Sequence, residues 1–175
     1  MFAGPCVQVC ADSPAEHESG VRDTTVMTLV TPTVEKHLAG LDAAVDRMAV
    51  WSRAAGPDAP VPTCPGWTVR DLLAHQGMVH RWATAVVRGD DPATVDDHAI
   101  EAEGRAAPDP VGWLLDGAPD LVSALESAPD DLAVMTFLKE APPARRFWAR
   151  RQCHETTVHA LDARSALEAR HLTAA

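Results

Sequence analysis

The chain has 175 residues, 46% of them hydrophobic and 23% charged, which suits one compact domain with a sizeable core. A formal charge of −10 excludes a surface built to capture nucleic-acid phosphates or anionic lipid, because like charges repel. No apolar stretch approaches the roughly 20 residues of a membrane helix, and no basic patch precedes a long apolar segment near the amino terminus, so the sequence predicts an unsecreted, cytoplasmic protein.

Residues 1–26 mix Gly, Pro, Ser and charges without a period and read as a disordered extension, or as residues ahead of a true start at Met27. Residues 27–175 then form the domain. Arg outnumbers Lys thirteen to two, Ile100 is the sole isoleucine, and Asn and Tyr are absent, a usage typical of GC-rich coding. Cys6, Cys10, Cys64 and Cys153 are expected as thiols in a chain too large to need disulfide staples, with Cys6 and Cys10 incidental.

Thr31-Pro32 offers a cap and a first-turn proline, after which Val34, Leu38, Leu41, Val45 and Met48 recur at helical spacing up to Gly56. A connection rich in proline (Pro57, Pro60, Pro62, Pro65) leads to Thr68, which with Asp71 predicts a capping box and a second helix to about Arg88. Leu72, Val79, Trp82 and Val86 mark its apolar face, and His75 falls in the same row, pointing inward. A polar, acidic connection, Gly89 to Pro110, precedes a third helix with Leu114, Ala118, Leu121 and Leu125 on one side, kinked or divided at Pro119. After a short segment from Leu132 to Leu138, read as extended, a last helix spans about Ala144 to Arg170. Four helices without alternating strands predict an all-α, four-helix bundle.

At about 100° per residue, Phe147, Trp148, Val158 and Ala166 share one sector of the last helix, and Arg151, Glu155, His159 and Asp162 fall in that same sector. Burying four polar groups unpaired would cost roughly 2–7 kcal/mol for each neutral one and more for charges, so something must compensate. Two readings compete. In the first, Arg151 with Glu155 and His159 with Asp162 form an internal ion-pair network. In the second, Glu155 and His159, one turn apart, join the inward-facing His75 around a divalent metal, with Arg151 and Asp162 supporting the ligands from behind. His154-Glu155 followed by His159 looks like a metalloprotease HExxH but is one residue too long, which sets the two histidines about 140° apart. His80 is misplaced relative to His75 in the same way. Cys153, Cys64 and Trp67 read as packing residues.

The segment Cys64-Pro65-Gly66-Trp67-Thr68-Val69-Arg70-Asp71-Leu72-Leu73-Ala74-His75, followed later by Arg150-Arg151-Gln152-Cys153-His154-Glu155-Thr156-Thr157-Val158-His159-Ala160-Leu161-Asp162, resembles the amino-terminal metal-binding domain of the mycothiol-dependent maleylpyruvate isomerase family, within the wider DinB/YfiT-like group. The likeness covers about Thr31 to Ala169. It implies an up-down-down-up bundle, a divalent metal, usually zinc, on His75, Glu155 and His159, and the actinobacterial thiol mycothiol as cosubstrate. In such enzymes the thiolate adds to an activated double bond, rotation follows, and elimination returns the thiol; related members keep the adduct and act as S-transferases. Two-domain relatives continue into a smaller α/β domain whereas this sequence stops at Ala175, so maleylpyruvate itself is not implied as the substrate. The alternative is a non-catalytic, stress-associated metal-binding module of the same fold, and either version admits a homodimer.

Overall fold

The computed structural model describes residues 31–173, which form five α-helices: α1 (Val34–Ala55), α2 (Val69–Arg88), α3 (Asp97–Ala106), α4 (Pro110–Ser127) and α5 (Ala144–Thr173). The expected extension at residues 1–26, with Cys6, Cys10 and Met27, lies outside the described residues. Among those described there is no strand, only an isolated bridge between Pro60 and Thr68.

The caps are local and explicit. α1 starts two residues later than Thr31-Pro32 suggests, because the Thr33 hydroxyl, on extended backbone, accepts from Lys36 N–H at 3.3 Å and makes the cap itself. At α2 the capping box forms as expected: Asp71 N–H donates to Thr68 Oγ1 and Thr68 N–H to Asp71 Oδ2, at 3.3 and 2.9 Å.

Side-chain contacts fix the directions of the four long helices. Arg170 near the end of α5 donates to the carbonyls of Ala54 and Ala55 at the end of α1, so these helices run parallel. Arg81 donates to Trp113 O at 2.7 Å and Arg88 pairs with Asp120 at 3.8 Å, so α2 and α4 run parallel too. Trp82 meets Trp148 while His75 meets His159, which makes α2 and α5 antiparallel. The course is therefore up-down-down-up, and the parallel α2 and α4 require the crossover that residues 89–109 supply.

That crossover contains α3, where the sequence suggests only a polar connection. The reason is visible in its burial: Gly104 alone is buried, so no apolar stripe marks the helix. Its missing side chain lets α3 approach the backbone of Ala74 and the ring of Trp113. α4 runs unbroken through Pro119, which is exposed on the solvent side, so the expected division does not occur. Residues 132–138 form no strand; they lie over the bundle, with Phe137 stacked on Trp82 at 6.0 Å and Met135 O accepting from Trp148 Nε1 at 3.0 Å.

Two apolar clusters fill the bundle. One gathers Leu38, Leu41, Trp82, Leu121, Leu125, Phe147 and Trp148 among others; the second gathers Met48, Val61, Leu72, Leu73, Leu114, Ala160 and Ala163. Each buried Leu contributes about 1.5–3 kcal/mol relative to exposure. The buried line of α5 runs through Trp148, Gln152, Thr156, Ala160, Ala163 and Ala166, with Phe147 and Asp162 buried beside it, so it overlaps the sector that the large apolar residues suggest without coinciding with it. Val158 is 51% exposed and the Arg151 side chain 45% exposed. In an Ala-rich chain a line of small residues that lets helices approach closely carries little hydrophobic signal, so the sequence reading rotates the face by roughly one residue. The consequence is functional. Glu155 and His159 stand on the flank of the buried line, at the rim of the bundle, rather than deep inside it.

Candidate metal centre

The segment between α1 and α2 is tied to itself before it meets the site. Gly56 at φ +91° ends α1, Val61 N–H donates to Trp67 O, and Cys64 and Trp67 close successive turns through Val61 O and Cys64 O at 3.0 Å. Gly66 at φ +86° makes the last of these turns possible, since a side chain there would strain the backbone. The folded segment delivers two residues: Trp67, whose ring lies 5.1 Å from that of His75, and Cys64, which faces α5.

His75 on α2 and Glu155 and His159 on α5 each offer a ligand atom, and the three atoms lie within 4.8 Å of one another. The two imidazoles meet edge to face at 5.3 Å. Burial, then the neighbouring charges of His159 and Arg105, push the His75 pKa down to about 4, so its ring is neutral at pH 7 with a lone pair to give. His159 Nδ1 lies 2.8 Å from Asp162 Oδ2. Burial opposes the Asp162 charge, but the hydrogen bond from His159, with the polar groups of Thr63 and Cys64 nearby, outweighs it and holds the carboxyl below its ordinary value. Arg151 Nη2 stands 3.0 Å from Glu155 Oε2, as the i, i+4 spacing predicts, and its guanidinium lies 5.1 Å above the Phe137 ring.

All five residues singled out by spacing therefore come together, though Arg151 faces solvent instead of the core. His80 does not join them: it is fully buried and its Nε2 is 2.9 Å from Thr156 Oγ1, which also accepts from Gln76 Nε2. His154 is exposed and meets His37 at 5.9 Å, away from the trio. Cys153 packs against Gly40, and burial raises its thiol pKa. A residue that spacing does not reveal is Cys64, whose sulfur lies within 4.8 Å of donor atoms of His159 and Asp162. Periodicity locates neighbours within one helix, and Cys64 arrives from a loop.

The family model for the mycothiol maleylpyruvate isomerase N-terminal domain matches residues 37–164, from the first turn of α1 through Glu155, His159 and Asp162. The chain belongs to this family. No curated protein and no solved structure matches it. The family places a thiol-dependent, isomerase-like type of domain on this helical fold. Among the described residues no helix is long and apolar enough to cross a membrane.

Two observations test whether the residues fit a metal. Glu155 Oε2 is buried and has no hydrogen-bond partner, since the nearby Arg151 is not aligned to donate to it. The His75 ring makes ring contacts but no hydrogen bond among the described residues. Two imidazoles and one carboxylate, converging from two helices, are the donor set that a divalent ion of borderline softness prefers.

Proposed function

We propose that this chain is the metal-binding bundle of an enzyme that uses mycothiol as cosubstrate and acts on a small electrophile as an isomerase or S-transferase. His75, Glu155 and His159 hold a divalent ion, with zinc the best match to two imidazoles and a carboxylate. The observation that carries the reading is the convergence of those three side chains within 4.8 Å, with a buried carboxylate oxygen lacking any hydrogen bond. When bound with one position open, the ion supplies the Lewis acidity that favours thiolate over thiol at neutral pH.

The chain's own residues prepare the rest. Asp162 accepts the Nδ1 proton of His159, which fixes the tautomer and leaves Nε2 as the ligand atom. Burial keeps His75 unprotonated, so no proton must leave it before it binds. Trp67 packs against the His75 ring and steadies it from one side. Glu155 and His159 are 18% and 16% exposed in their side chains, which leaves the rim open to a small thiol.

Elemental analysis of purified protein is expected to give about one zinc per chain. None, even after reconstitution with zinc, overturns the reading. His75→Ala and Glu155→Ala should lose the metal while His154→Ala keeps it; equal content in all three contradicts the ligand assignment. Calorimetric titration of the zinc-loaded protein with mycothiol should give heat that His75→Ala lacks, and retained metal without thiol binding favours the non-catalytic module instead.

A further inference from the structure

His159 belongs to two groups at once. Beside His75 and Glu155 it belongs to the metal-ligating set; beside Cys64 and Asp162 it belongs to a second trio whose donor atoms also lie within 4.8 Å of one another. The second trio looks like a Cys-His-Asp metal site, but its atoms already answer one another. His159 Nδ1 and Asp162 Oδ2 are 2.8 Å apart, and the Cys64 sulfur lies within 4.8 Å of a ligand atom on each. An ion entering there would have to displace the His159–Asp162 hydrogen bond and the thiol proton. In the first trio, by contrast, Glu155 Oε2 has only the unaligned ion pair with Arg151 and no hydrogen bond to lose.

We infer that Cys64 is a positioning residue: its S–H donates to Asp162 and locks the carboxylate that orients His159 toward the ion. The inference rests on the metal reading above and adds the group that stands behind Asp162. The geometry supports a steady donor. Cys64 sits between two backbone hydrogen bonds, its N–H to Val61 O and its C=O from Trp67 N–H, each 3.0 Å. The Thr63 hydroxyl is 3.1 Å from Ser165 Oγ, and because Ser165 donates its own proton to Asp162 O at 2.7 Å, the Thr63 proton goes to Ser165. That leaves the Cys64 thiol as the donor this loop brings nearest to the carboxylate. The same short loop thus supports both histidines, His75 through Trp67 and His159 through Cys64 and Asp162.

The test compares Cys64→Ala and Cys64→Ser with wild type and with Cys153→Ala. Zinc affinity, read by competition with a chromophoric chelator, should fall about tenfold or more in Cys64→Ala, the usual effect of losing a group behind a ligand. Cys64→Ser, which keeps a donor, should recover most of it, and Cys153→Ala should match wild type. Unchanged affinity in Cys64→Ala overturns the inference. So does a thiolate-to-metal charge-transfer band in the cobalt-loaded wild type that disappears in Cys64→Ala, since Cys64 would then be a ligand. A second readout needs no metal: nitrogen NMR of the His159 ring in metal-free protein should show the Nδ1–H tautomer in wild type and Cys64→Ser, and a tautomer mixture in Cys64→Ala. If the wild type binds no zinc but this pattern holds, the metal reading fails and the positioning role of Cys64 stands; an identical single tautomer in all three overturns the role.

Discussion

α2 and α5 carry two polar groupings at adjacent positions, His75 beside Gln76 and Glu155 beside Thr156, and they differ in what their atoms touch. Inside, Gln76 and His80 both meet the Thr156 hydroxyl, and all three residues are fully buried. At the rim, His75, Glu155 and His159 point at a common region without bonding one another directly. Similar side chains on the same two helices thus serve opposite ends: hydrogen bonding that holds helices in register, and convergence that offers a ligand site. Polar residues on an inner helix face announce neither role by themselves; the partner of each atom decides.

The sharpest way to break that contrast is to damage each grouping and read both stability and metal. Thr156→Val preserves shape but strips His80 and Gln76 of their shared partner; at about 1–3 kcal/mol per orphaned group, denaturant unfolding should show a loss of roughly 2–4 kcal/mol. Zinc per chain in the folded variant should stay unchanged. His159→Ala should do the reverse, losing metal while the metal-free protein loses about 1 kcal/mol or less, as expected for a group at a solvent-facing rim. A Thr156→Val protein as stable as wild type would mean that the interior trio does not hold the helices together.

Acid provides a second, smaller separation. Burial, helped by the charges of Arg81 and His159, pushes the His80 pKa down to about 3, against 6.5 for a free histidine. Below pH 6.5 the unfolded chain takes up a proton at this position and the folded chain does not. The contribution is therefore complete above pH 6.5 and is lost as pH falls toward 3, by up to about 1.4 kcal/mol per pH unit. His80→Gln, which can still bond Thr156, should flatten that slope in metal-free protein between pH 6 and 4. An unchanged slope would mean that His80 is protonated in the fold.

How much of this was legible in the residues follows from the same contrast. The capping box at Thr68, the inward face of His75 and the neighbouring Glu155 and His159 follow from spacing along single helices, where 3.6 residues per turn converts sequence into geometry. Spacing leaves open whether the polar stripe pairs with itself or joins His75. What spacing misses depends on other physics. α3 has no apolar stripe because it packs through Gly104, and beyond Trp148 the inner line of α5 is built from Ala, Gln and Thr, so Val158 wrongly reads as buried. Pro119 reads as a break, yet on the exposed side of α4 the lost backbone hydrogen bond faces water. Cys64 is invisible for a further reason: its distance to His159 is set by a loop whose path depends on backbone hydrogen bonds and on Gly66, neither of which has a period.

The smallest expected effect concerns Arg151, the one member of the polar stripe that faces solvent. Its guanidinium is 3.0 Å from Glu155 Oε2, but the contact lacks hydrogen-bond alignment, and the side chain is 45% exposed. An exposed i, i+4 pair is worth about 0.3–0.5 kcal/mol, and its charge acts on metal binding in two opposing ways. It steadies the carboxylate, which favours binding, and it repels an incoming cation, which disfavours it. With alignment poor and solvent screening strong, neither dominates, so Arg151→Gln should change zinc affinity by less than about threefold and stability by under about 0.5 kcal/mol. Its stacking on Phe137 adds only a surface cation–π contact of similar size. A tenfold loss of zinc affinity in Arg151→Gln would show instead that Arg151 holds Glu155 in its ligating orientation, placing it alongside Asp162 as a support of the site.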